Sequence, residues 1–418
     1  MSTKNKVFIP KKYNSKDKRY YFEYLTNNKP QMINSILDND LYKFTMQNAV
    51  IKLFPRAEAR YEFINRGKTK FPPGFAVELK KHIHHLARIK LTKDEKEFLR
   101  KRCYYLDPTY LDFLSGYHFD PGEVKISQKE NDVQVVVEGY WYRTILWEVP
   151  LLAMISELYH KLKKQTSLRK NDIVQIVREK ASLYDKMNAK VAEFGTRRRY
   201  SYHNHDLIIR TISEHSKSSF IGTSNIHFAM KYNAIPIGTH AHEWFMFHSA
   251  KYGFKMANRL SLENWVNVYR GDLGIALSDT FTTDIFFEAF DTKFAKLFDG
   301  VRHDSGDPIE FAEKTIRHYK KLRIDPLSKT IIFSDSLNPN KVKKIIKHCH
   351  NKIKMSFGIG TNFTNDVGVK PLNIVMKMTA SKPEGQAWYP TIKLSDTKGK
   401  HSGDIKMIEL CKTVLQIV

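Results

Sequence analysis

The sequence predicts an α/β chain in which a mixed α/β domain precedes an α/β barrel. From Ala192 onward, short apolar runs recur, each followed by a polar tip and a helical stretch, which is the texture of parallel βαβ units. Residues 31–150 instead mix helical spacing with period-two alternation. The 418 residues, 42% of them hydrophobic, suffice for two to three domains with ordinary cores.

Residues 1–30 are rich in Lys, Asn and Tyr and read as a basic tail or docking arm. At Leu37-Asp38-Asn39-Asp40 the chain offers carboxylate and amide caps, and Leu41, Phe44, Thr45, Asn48, Ile51 and Lys52 follow at helical spacing. This predicts a helix over Leu41–Leu53 with Tyr42 in its first turn. Arg60–Asn65 alternates as a strand, Thr92–Arg102 reads as a helix, and Val133, Val135 and Val137 mark a half-buried strand. Leu146–Lys164 is a long amphipathic helix that ends the first domain and opens the second, placed at 151–378.

The second domain begins with a helix over Asp172–Lys190. Strands are expected at Ala192–Gly195, Phe220–Thr223, Ile235–Thr239, Ile275–Asp279, Val301–Asp304, Ile331–Asp335, Met355–Thr361 and Leu372–Met378. That number favours a closed barrel over an open sheet. Residues 379–418 form a C-terminal segment that either closes the barrel or returns to the first domain.

Composition excludes several classes. No apolar run is long enough to span a bilayer, and the N-terminus lacks a secretory core, so a cytoplasmic location and no membrane partner are expected. Three cysteines, Cys103, Cys349 and Cys411, suggest no disulfide framework. His348-Cys349-His350 lacks zinc spacing, because adjacent side chains point apart. The 69 basic against 44 acidic residues give a net charge of +25, a field that attracts polyanions. The lysines are spread along helical faces, however, which argues for small phosphorylated substrates over specific nucleic-acid binding.

In a parallel barrel the loops after the strand C-termini build the site. Here each tip is polar: FGTRRR, GTSN, GTHAHEW, LSDTFTTD, VRHDSGDP, FSDSLN and GIGTNFTND. Helix capping explains Asp335-Ser336 and Asn365-Asp366, but not three consecutive arginines or Arg302 beside Asp304. Gly358, Gly360 and Thr361 offer an anion cradle, and SDSLN offers a second helix N-terminus suited to an anion. Asp304 and Asp307 are hard oxygen ligands suited to Mg²⁺. His242, in GTHAHEW, reads on these residues alone either as a satisfied loop histidine or as the chemical centre.

Taken together and in order, DNDLYKFTM, FGTRRR, GTSN, GTHAHEW, SDTFTTD, VRHDSGDP, FSDSLN and SFGIGTNFTND resemble the nicotinate phosphoribosyltransferase family, from about Leu37 to the C-terminus. The resemblance implies an irregular barrel of the quinolinate-phosphoribosyltransferase type with an N-terminal sandwich domain. It implies that nicotinate and 5-phosphoribosyl 1-diphosphate become nicotinate mononucleotide and diphosphate, with ATP hydrolysis coupled through a phosphohistidine. His242 matches the phosphorylated histidine and Asp279 its orienting carboxylate. Tyr42, from the neighbouring subunit of a homodimer with shared active sites, and Phe194 match the rings on either face of the pyridine. Arg302 is expected on the nicotinate carboxylate and Arg197 on the phosphoribosyl diphosphate. Gly358, Gly360 and Thr361 are expected on the 5-phosphate, and Asp304 on the ribose or its Mg²⁺. Thr223 and Gly238 belong to the rim loops of the same pocket. Glu243 keeps a nicotinamide-using alternative open, because an acid accepts from an amide; it is expected to point away from the ring.

Overall fold

A computed structural model describes residues 31–397 and 401–417; the expected basic tail lies outside them. The strands are β1 (Glu58–Asn65), β2 (Val124–Lys129), β3 (Asp132–Tyr140), β4 (Val191–Glu193), β5 (Phe220–Thr223), β6 (Arg270–Leu273), β7 (Ile275–Leu277), β8 (Gly300–His303), β9 (Thr330–Phe333), β10 (Lys354–Ile359), β11 (Ile374–Lys382) and β12 (Tyr389–Pro390).

The first domain rests on an antiparallel sheet of order β12-β11-β1-β3-β2. Helix Leu41–Leu53 forms as predicted and is buried on nearly every side, as its continuous burial from Leu41 to Val50 shows. Helix Lys93–Arg102 starts at Thr92 through a capping box closed by Glu95. Helices Phe75–Leu86 and Pro108–Gly116 and strand β2 lie between the predicted elements.

The second domain is an irregular α/β barrel built on a parallel sheet of order β5-β4-β10-β9-β8-β7. Two expectations are corrected here. Ile235–Thr239 is not a full strand: Pro236 makes one parallel bridge to Thr223, and Thr239 Oγ1 donates to the Ile275 carbonyl at 3.0 Å. Proline lacks the donor a ladder needs, so this segment spans β5 and β7 as a seam. The strand expected at Leu372–Met378 is β11, and it does not join the barrel. It pairs with β1 from Asn65↔Ile374 to Glu58↔Lys382, so the second-domain boundary at 378 is wrong and the C-terminal segment returns to the first domain. From β12 the chain then crosses back to the barrel mouth, where Leu394 N donates to the Thr280 carbonyl.

One core joins the domains. Trp141, Trp147, Trp244 and Trp265 are fully buried, and Trp141 packs on Phe247 with ring centroids 4.3 Å apart. Rings of this size contribute most of the apolar area that fixes one domain on the other.

Candidate active site

At the strand tips a cavity of about 250 Å³ opens between the barrel and helix Leu41–Leu53. Tyr42, Phe194, Arg197, Gly238 and Arg302 line it, together with Asp40 and Ser224. Tyr42 reaches this pocket within its own chain. The close approach depends on Gly238, where a Cβ would lie 3.1 Å from the Tyr42 amide nitrogen.

His242 begins helix His242–Tyr252 and is linked to the lining residue Arg302 through Asp304. Its Nδ1 lies 3.0 Å from Thr280 Oγ1, and its Nε2 lies 2.8 Å from Lys393 Nζ, 3.1 Å from Asp304 Oδ2 and 3.6 Å from Asp279 Oδ1. An ammonium only donates, so Nε2 accepts from Lys393 and Nδ1–H donates to Thr280. Burial and the Lys393 charge push the histidine below its ordinary pKa, against the pull of Asp279 and Asp304. The ring is therefore neutral, with its lone pair aimed into the acidic cluster.

The carboxylates are held as anions despite their burial. Arg302 Nη2 donates to Asp304 at 2.7 Å and, with Lys393, keeps Asp304 well below the usual carboxylate range. Asp279 accepts from Lys393 at 2.9 Å and from Ser305 at 2.5 Å, and is likewise lowered. At 3.6 Å from the ring, Asp279 anchors Lys393 more than it orients His242; Thr280 and Asp304 make the closer contacts.

Ligand atoms of His242, Asp279 and Asp304 lie within 4.8 Å of one another, a spacing compatible with a cation. Asp307 is not among them. Its carboxylate accepts from the amides of Ile309 and Glu310 and caps helix Pro308–Lys321, and the carboxylate that lies beside Asp304 is that of Asp279.

Three more expectations change. Thr223 is fully buried and its hydroxyl donates to Glu193, so it braces the β4–β5 junction and Ser224 faces the pocket instead. A Cβ at Gly358 would lie 2.3 Å from the Phe194 ring, so this glycine makes room for the pocket wall; Gly360 and Thr361 remain at the loop tip. The N-terminus of helix Pro339–Cys349 is closed by its own Asn338, which accepts from the Lys341 amide. Of the three arginines, Arg199 is fully buried in a bidentate pair with Asp38, and only Arg197 and Arg198 can serve a ligand.

Lys393 escaped sequence reasoning, because nothing in its surroundings marks it until β11 and β12 carry the chain back across the barrel. The same holds for Lys377 and Arg66. Burial, Arg66 and Lys393 push Lys377 down to about 7, and burial, Arg197 and Arg66 push Arg198 down to about 10. Among the described residues none of Arg66, Arg198 and Lys377 forms an ion pair, and positive charge gathers there with Asp335 as the acid acting on Arg198. Glu243 points away from the pocket, as expected, toward Lys43 and Tyr61.

Comparison with known proteins agrees with this arrangement. Residues 189–417 match the nicotinate phosphoribosyltransferase family model, and residues 37–156 match the N-terminal domain of that family. A nicotinate phosphoribosyltransferase of Chromohalobacter salexigens is 58% identical over 386 residues, covering 92% of this chain and 99% of that protein. One from Methanococcoides burtonii is 45% identical over 392 residues, covering 89% and 95%. The crystal structure of the Porphyromonas gingivalis nicotinate phosphoribosyltransferase superposes with a TM-score of 0.90 at 46% identity, covering 92% of this chain and 100% of that one. That from Vibrio cholerae gives 0.88 at 31% identity, covering 93% and 95%. With both of its domains matched and the strand-tip residues gathered at one mouth, this chain belongs to the nicotinate phosphoribosyltransferase family.

Proposed function

We infer that the protein transfers the phosphoribosyl group of 5-phosphoribosyl 1-diphosphate to nicotinate, giving nicotinate mononucleotide and diphosphate, and that this is the entry of nicotinate into NAD biosynthesis. The observation that carries the reading is the pairing of two features. Tyr42 and Phe194 wall a pocket that also holds two guanidinium groups, Arg197 and Arg302, and Arg302 connects through Asp304 to a neutral histidine, His242. A planar anionic ring fits such a slot, because a guanidinium binds a carboxylate through paired hydrogen bonds. Asp40, the acidic residue lining the pocket, has its carboxyl pushed up by burial and accepts from Ser224. Nicotinamide use loses support, because Glu243 is turned into the interior.

ATP is the proposed co-substrate. The Nε2 lone pair of His242 attacks the γ-phosphorus, the bond to the β-phosphate oxygen breaks, and ADP leaves with that electron pair. Lys393, 2.8 Å from Nε2, lies where the arriving phosphoryl oxygens gather charge, and Thr280 holds the Nδ1 proton. Water later takes the phosphoryl group and frees the histidine. For ribosyl transfer, the nicotinate nitrogen attacks the anomeric carbon as diphosphate departs, through an oxocarbenium-like transition state. The charges of Arg66, Arg198 and Lys377 favour the polyphosphate groups of both substrates.

Mg²⁺ fits Asp279 and Asp304, two ionised oxygen donors, and when bound it supplies charge neutralisation to phosphate oxygens. Tyr42 and Phe194 wall the pocket within one chain, and a homodimer is the proposed assembly. Among the described residues no helix is long and apolar enough to cross a membrane, and we place the enzyme in the cytoplasm. The test is a product assay with nicotinate, phosphoribosyl diphosphate and Mg²⁺, with and without ATP, and with nicotinamide in parallel. Nicotinate mononucleotide formed faster with ATP, with ADP released, is the expected result; turnover of nicotinamide alone overturns it.

A further inference from the structure

We propose that Lys43 is a positioning residue that couples the state of His242 to the substrate pocket through a buried chain of ion pairs. The inference rests on the ATP-coupled reading above and names the device that links its two half-reactions. Lys43 follows the pocket residue Tyr42 on helix Leu41–Leu53 and is wholly buried. Its Nζ lies 2.5 Å from Glu148 Oε2 and 2.5 Å from Glu243 Oε1. Glu243 is the neighbour of His242 in the chain, and its second oxygen accepts from Tyr61. Glu148 holds the pocket residue Arg197 through Oε1 at 3.1 Å. A chain of ion pairs therefore runs from Glu243 through Lys43 and Glu148 to Arg197, and its first member adjoins His242 along the backbone.

Stability alone does not account for this path. Burying a lysine and two carboxylates carries a desolvation cost that apolar side chains of similar volume would avoid. The equal distances leave the ammonium evenly shared, so a change of charge at one end redistributes it. A phosphoryl group on His242 places negative charge one residue from Glu243. That charge draws the ammonium toward Glu243, and Glu148 then turns its full charge on Arg197. Ordering of the pocket thus follows phosphorylation, and by linkage a filled pocket favours the phosphorylated histidine.

The test is the number of ADP molecules released per nicotinate mononucleotide formed, measured on the full chain with ATP, Mg²⁺, nicotinate and phosphoribosyl diphosphate. Glu243→Gln removes the charge while its amide oxygen still accepts from Lys43 and its amide N–H turns to Tyr61 Oη as a donor. It is expected to raise that ratio about ten-fold, the scale of a typical coupling between sites. A purely structural network would instead lower the melting temperature and both rates together at constant ratio, and that outcome overturns the proposal. If Glu243→Gln does not fold, Lys43→Arg gives the same readout, because a rigid planar fork replaces the compact ammonium whose shift between the two carboxylates carries the coupling. A wild type that forms nucleotide without consuming ATP overturns the coupled reading and this proposal with it. A coupled wild type with an equally coupled variant overturns this proposal alone.

Discussion

Lys393 donates to Nε2 of His242 across 2.8 Å while its other contact, at 2.9 Å, is to Asp279. The two residues are 151 positions apart, His242 opening helix His242–Tyr252 and Lys393 lying on the segment after β12. This contact fixes the imidazole tautomer and supplies a cation where a phosphoryl group would arrive. Lys393→Met is expected to slow ATP hydrolysis and formation of the acid-labile phosphoenzyme by about 10²-fold, the usual loss for one preorganised charge donor. Measured phosphoenzyme formation at the wild-type rate would remove Lys393 from the mechanism.

Asp304 and Asp307 differ in surroundings: Asp304 accepts from Arg302, and Asp307 caps a helix. Asp304→Asn is expected to move the Mg²⁺ midpoint for product formation about ten-fold upward, because an ionised oxygen donor next to Asp279 is lost. Asp307→Ala removes a helix cap and costs about 1 kcal/mol of stability, with the Mg²⁺ titration unmoved. Titrating both variants with Mg²⁺ distinguishes the pair, and a shift confined to Asp307→Ala would reverse the assignment.

What the sequence made legible, and what it did not, follows from the range of the interactions. Helix Leu41–Leu53 and the strand tips carrying Arg197, His242, Asp279 and Arg302 were readable because local periodicity and turn chemistry mark them. The placement of β11 was not readable, since a short apolar strand looks alike in either sheet and only its partner β1 decides. Asp307 and Thr223 were over-read for a related reason: Asp and Thr at a strand tip serve a cap or a brace as readily as a ligand. Lys393 needed the crossing of the C-terminal segment, which no local pattern encodes.

Gly358 makes room for an aromatic wall. Gly358→Ala would place a Cβ 2.3 Å from Phe194 Cδ2 and 2.4 Å from Cε2, so the ring must move. The expected result is a KM for nicotinate raised ten-fold or more, with about 1–3 kcal/mol of lost stability from overpacking. An unchanged KM would mean that the ring does not stack on the substrate.

His240 and His248 set an acid limit on stability. Burial pushes each down to about 3, and His248 is fixed neutral by the Trp244 carbonyl and the Asn264 amide. In the unfolded chain both titrate near 6.5, so below that pH the unfolded state binds more protons than the native state. Stability is fully present above about 6.5 and is lost as pH falls toward about 3, at about 1.4 kcal/mol per pH unit for each histidine. His248→Gln removes one of the two contributions. Its melting temperature should fall less steeply than that of the wild type between pH 6 and pH 4, whatever its height at pH 7, and parallel curves would refute the assignment.

Tyr42 lines the pocket of its own chain, against Gly238 and opposite Arg302 and Phe194. In a dimer that exchanged this residue, mixing Tyr42→Ala with His242→Ala subunits would rebuild one intact site and restore part of the ATP-coupled activity. With Tyr42 in cis each subunit carries its own defect, and no mixture contains a complete site. Co-refolding or co-expression of the two variants is therefore expected to give no more coupled activity than the sum of the two alone. Recovery approaching a quarter or more of the wild-type rate would show that the ring is delivered from a neighbour, and that the pocket as closed by Gly238 and Tyr42 is not the working one.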